Sequence, residues 1–237
     1  METGAIRFVV ASESRSLRPA IEANLGWSTG SDPWDEGLFI TQPASASEVA
    51  RAMWVLDESG GITLRRSPDE SVVVNSALFH LLCLESALTT EHLALRLRAI
   101  LLPDGTALLV EPRVVHELSG MDRKLLRRGV RVLPTTISIV DEGRSELVVP
   151  PQEFEPDVVP GRYPISRILL ARTEEDLGME AASVLHLTSN LLRVQDQDLR
   201  TPLKKMQKLV STSGERIRRL TVDQIEAEIR LLGAPGK

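Results

Sequence analysis

The sequence predicts an α/β protein: a mixed sheet with mostly antiparallel edges, one strand–loop–helix–strand unit, and a helical C-terminal section. Short apolar runs bounded by Gly, Pro and Asp recur between residues 5 and 171, as strands do. Residues 73–88, and much of the chain beyond Glu174, instead repeat apolar residues at helical spacing. With 42% hydrophobic residues the chain has material for a core; at 3% aromatic content, Leu, Val, Ile and Ala must fill it.

The elements follow in order. Residues 5–10 read as a strand and 16–25 as a short helix. A Gly/Ser/Pro-rich loop, GWSTGSDPWDEG, carries Trp27 and Trp34, read as residues that pack a hinge. Strands are expected at 38–41 and 62–65, with a helical piece at 47–57 that Ser47 would cap. The wide apolar face of 73–88 predicts a helix buried against a sheet. Residues 93–101 alternate apolar with basic, which predicts a strand with Arg96 and Arg98 on its wet face. Pro103, Asp104 and Gly105 turn that strand back into 107–110 as a β-hairpin.

Leu118, Met121 and Leu125 then recur at helical spacing, with Ser119 as N-cap. Arg123, Lys124, Arg127 and Arg128 suit the negative pole of that helix, and Gly129 stops it before a strand at 130–133. A second hairpin is expected from 137–140 and 146–149, a surface connector at 150–164, and a buried strand at 165–171. Helices should follow around Leu177–Leu192 positions, around Leu203 and Val210 with Pro202 in the first turn, and after Thr221, which forms a capping box with Gln224. The natural division is 1–70, 71–171 and 172–237.

Composition excludes some function classes. A net charge of -5 argues against a chain devoted to nucleic acid. The single cysteine, Cys83, sits in an apolar run and reads as a small core residue in a reducing, cytoplasmic setting. No apolar run approaches the roughly 18 residues of a membrane span, and no signal peptide is expected at the N-terminus. His80, His92, His116 and His186 lack a His or Cys partner at metal-ligand spacing, so no metal site is expected. The carboxylates at 174–176 and 196–198 read as solvated helix starts, and there is no G-x-S-x-G elbow.

The unit at 107–133 is the frame in which a phosphate-binding loop normally sits. Such a loop needs glycines, whose N–H groups surround the phosphates, and a lysine. Here it reads Glu111, Pro112, Arg113, Val114, Val115, His116, Glu117, Leu118, with neither. Together, HLALRLRAILLPDGTALLV, KLLRRGVRVL, ISRILLAR and LTVDQIEAEIRLL make residues 71–232 similar to short, divergent members of the bacterial HPr kinase/phosphorylase-like family.

That resemblance implies a degenerate P-loop-type site. The family's lysine position is Leu118, its glycines fall at Pro112 and Glu117, and Ser119 alone survives. Its acidic pair falls at Pro134 and Thr135, and its histidine near Arg96. Pro112 has no N–H to donate. Glu117 beside a triphosphate adds repulsion of about 1 kcal/mol or more. Because phosphoryl transfer rests on positioning and electrostatics, these losses imply a pseudoenzyme without cofactor.

The expected role is protein-binding, scaffolding or structural, within a larger assembly or a self-assembly. Arg123, Arg127, Arg128 and Arg131 are candidate contacts to a protein or peptide partner. The alternative is a peptide or protein kinase with a rebuilt site that uses Arg96, Arg98, Arg113 or the Arg127/Arg128 pair. The lysines and arginines between 204 and 219 lack the interleaved aromatics that stack on bases, so nucleic acid is not the expected partner.

Overall fold

The computed structural model describes residues 8–12, 14–25, 36–41, 53–58, 62–112, 129–171, 187–188, 190–192 and 200–232. It is an α/β fold with two mixed sheets and, among the described residues, four helices. The first sheet runs β1 (Phe8–Ser12), β2 (Glu36–Thr41), β3 (Trp54–Glu58), β4 (Ile62–Ser67) in spatial order. β1 and β2 are parallel, with α1 (Leu17–Leu25) between them in the chain; the other pairs are antiparallel.

Helix α2 (Glu70–Thr89) joins the two halves. Asp69 caps it, its Oδ1 accepting from the Ser71 N–H at 2.9 Å. Val73, Val74, Ala77, Leu78 and Leu81 pack on Leu38, Ile40, Leu56 and Leu64 of the first sheet. Phe79, Cys83 and Leu84 turn the other way, into a core with Leu95, Leu97, Leu109 and Ile168. Contrary to the expectation that no run approaches a membrane span, α2 is long and apolar enough to cross one. Most of its apolar side chains pack into two cores, which explains why it is hydrophobic on nearly every side, although Leu88 is exposed.

The second sheet contains β5 (Leu93–Arg96), β6 (Arg98–Leu101), β7 (Ala107–Val110), β8 (Arg131–Val132), β9 (Ile137–Asp141), β10 (Glu146–Val149), β11 (Gly161–Ala171) and β12 (Ile217–Leu220). β5 and β6 are one run broken at Leu97. β5 pairs with β9, β9 with β10, and β10 with the first half of β11. The second half of β11 runs parallel to β7, and β7 pairs back to β6. The path returns to its start, so these strands close into a small barrel without free edges along that path. Gly105, at φ 80° in the β6–β7 turn, takes the left-handed conformation that glycine adopts without strain. Outside the barrel, α3 (Arg200–Ser213) and α4 (Val222–Leu232) flank β12, which lies parallel to β11.

Several expectations change. Trp54–Glu58 is a strand, not helix: it is paired on both sides, and Val55, Leu56 and Glu58 are buried. Arg98 is 6% exposed, so residues 93–101 have no continuous wet face. The connector ends at 160, and Pro164 lies within β11, opposite Glu146. The connector is also more than a surface passage, since Glu155 and Val158 are buried. Leu191 forms a β-bridge with Leu95 rather than continuing a helix, and Arg218 and Arg219 lie on β12. Trp27, Trp34, the Ser119-capped helix and the helix over 177–186 lie outside the described residues.

Candidate functional site

Where the first sheet meets the barrel, strand ends converge on a cleft of about 340 Å³. Glu58 comes from the end of β3, Ile62 from the start of β4, and Arg96 from the end of β5. Glu111 and Pro112 follow β7, Thr136 precedes β9, and Asn190 completes the lining.

Glu58 organises this cleft. Its side chain is 1% exposed, and both oxygens are bonded. Arg96 donates to Oε1 at 3.1 Å and the Thr136 hydroxyl to Oε2 at 2.7 Å. Burial pushes the Glu58 carboxyl up from its ordinary range, and the Thr136 bond and the charge of Arg98 only partly offset this. Burial likewise pulls the Arg96 guanidinium down. Beside them Arg98 is a strut. Its Nε donates to the Leu133 carbonyl at 3.1 Å, and its two terminal nitrogens reach the Thr63 and Leu64 carbonyls at 3.3 and 2.7 Å. One buried guanidinium thus ties the barrel to β4.

Backbone bonds fix the rest of the wall. The Arg96 N–H donates to the Asn190 carbonyl at 2.6 Å, and the Leu192 N–H to Ala94 at 3.0 Å. Glu111 extends the β7–β11 pairing: its N–H donates to the Leu169 carbonyl, and its carboxylate accepts from the Ala171 N–H at 3.0 Å. Among the described lining residues there are two carboxylates and one guanidinium, and that guanidinium is bonded to a carboxylate. Such a wall is a poor host for phosphate.

Of the residues singled out in the sequence, Arg96 and Pro112 share this cleft. Pro134 and Thr135 are buried next to Thr136; the Thr135 hydroxyl accepts from the Ile137 N–H at 3.1 Å. Arg131 lies half-buried on β8 and does not line the cleft. Glu117, Leu118, Ser119, Arg123, Arg127 and Arg128 lie outside the described residues. Glu58, Thr136 and Asn190 were not anticipated. No local signal marks Glu58, because the Arg96 that pairs with it comes from a distant strand.

The C-terminal basic residues make several intramolecular pairs. Arg167 and Arg218 both bond Glu228, tying α4 to β11 and β12. Arg216 donates to the Ile165 carbonyl at 3.1 Å. No family model matches this chain, and no curated protein or solved structure matches it.

Proposed function

We propose that this protein is a non-catalytic, HPr-kinase-like binding or scaffolding subunit that works without cofactor in the cytoplasm. Its partner is a protein or peptide, or further copies of the chain in a larger assembly. The observation that carries this reading is the charge arrangement of the cleft. Arg96 is held by the buried Glu58, Thr136 occupies the other Glu58 oxygen, and Pro112 stands at the loop start without an N–H. A triphosphate entering there would meet Glu58 and Glu111 and have to break the Arg96 pair.

A second reading, a kinase with a rebuilt site, is favoured by one feature: two carboxylates stand beside an arginine in one cleft. Calorimetry with magnesium and ATP separates the two readings. No binding at millimolar nucleotide is the expected result. Micromolar binding that disappears in Arg96→Met or Glu58→Gln would replace the first reading with the second.

A further inference from the structure

The far end of the β5–β9 pair gathers three metal-ligating side chains, the neighbours Asp141 and Glu142 and the sequence-distant His92. Register places Leu93 opposite Val140, which brings His92 next to the β9–β10 turn and its Asp141 and Glu142. One ligand atom from each of His92, Asp141 and Glu142 lies within 4.8 Å of the other two. In a tetrahedral site with bonds near 2.0–2.1 Å, ligand atoms stand about 3.3 Å apart, a difference that side-chain rotation can close.

The turn is built before any ion arrives. Asp141 Oδ1 accepts from the Gly143 and Arg144 N–H groups at 3.1 and 3.2 Å, and Oδ2 accepts from Arg162 at 2.6 Å. Glu142 is different. Its Oε1 faces Lys208 Nζ at 3.8 Å, while its Oε2 is closed off from solvent with no hydrogen-bond partner among the described residues. A buried acceptor left this way costs about 1–3 kcal/mol and calls for an explanation such as a bound ion or water. The adjacent imidazole makes the ion the better match, because it offers a nitrogen lone pair, which a cation takes directly.

We propose that His92, Asp141 and Glu142 form a binding site for a divalent ion of the zinc type, with water completing its shell. The mixed nitrogen and oxygen donors favour zinc over calcium or magnesium, which prefer shells of oxygen alone. Lys208 is the internal competitor. Its side chain is 56% exposed, so it can leave Glu142 for solvent when the ion enters. Arg162 stays on the outer oxygen of Asp141 and orients that carboxylate. The site is independent of the Glu58 cleft, which lies at the Arg96–Thr136 end of the same strands.

The test is titration of the full chain with Zn2+ by calorimetry, and with Co2+ followed by its visible absorption. One equivalent should bind, with Mg2+ and Ca2+ failing to compete. His92→Ala and Glu142→Gln should each weaken Zn2+ binding by about tenfold or more, while their metal-free melting temperatures match the parent chain. Lys208→Met should tighten binding severalfold. No zinc uptake by the parent chain, or equal uptake by the parent and the His92→Ala/Glu142→Gln double variant, overturns the proposal.

Discussion

The two ends of the β5–β9 pair treat a carboxylate in opposite ways. At the cleft, Glu58 is almost wholly removed from water, and each oxygen has a donor, Arg96 or Thr136. At the turn, Glu142 keeps one oxygen buried without a donor among the described residues and holds a lysine only at 3.8 Å. The first arrangement is closed electrostatically and joins two sheets. The second is incomplete as it stands. The difference separates a carboxylate that holds the fold together from one available to a ligand.

The strongest way to break this contrast is to remove the strut at the cleft. Arg98→Met should cost about 3–5 kcal/mol in urea unfolding, because three carbonyls lose their donor and Glu58 loses a compensating charge. A loss below about 1 kcal/mol would show that the two sheets do not depend on that guanidinium.

Acid should act on the cleft and on the core of α2 with opposite sign. Burial alone takes His80 from 6.5 down to about 3. Its contribution to stability is therefore complete above pH 6.5 and is lost as pH falls toward 3, on the order of 5 kcal/mol in all. Glu58, with its pKa raised, contributes most below the ordinary carboxylate range, and that contribution fades as pH rises through its folded-state value. His80→Leu should flatten the fall in melting temperature between pH 6.5 and 4. An unchanged pH profile would remove His80 as its source.

Smaller effects sharpen the comparison. Thr136→Val keeps the shape and removes the donor to Glu58 Oε2, so about 1–3 kcal/mol should be lost. Glu142→Gln, in metal-free protein, should change stability by no more than about 0.5 kcal/mol, since Oε2 has no donor among the described residues to lose. If chemical unfolding gave the two substitutions the same cost, the contrast between the ends would be wrong.

Local chemistry was the legible part of this chain. The β6–β7 and β9–β10 hairpins form where the turn residues put them. The capping box forms reciprocally: Thr221 N–H donates to Gln224 Oε1 at 3.0 Å, and Gln224 N–H to the Thr221 hydroxyl at 3.4 Å. Residues 54–58 were misread because Trp-Val-Leu-Asp-Glu has no strict alternation; pairing with β2 and β4 made them a strand. Within the cleft, Arg96 and Pro112 were marked only by the resemblance to a family whose histidine and loop glycine fall there, and Glu58 was not marked at all. A buried carboxylate is recognisable only with its cation in view, and Glu58 and Arg96 come from different sheets.

By itself the sequence determined the α/β class, the long buried helix, both hairpins and a stretch after β7, residues 111–118, that holds neither glycine nor lysine. Each depends on periodicity or on the backbone needs of neighbouring residues. Only the tertiary structure decided that the second sheet closes on itself, that Arg98 points inward, and that His92 meets Asp141 and Glu142. Those outcomes come from strand register and burial, which bring distant residues together and which no short stretch of chain encodes.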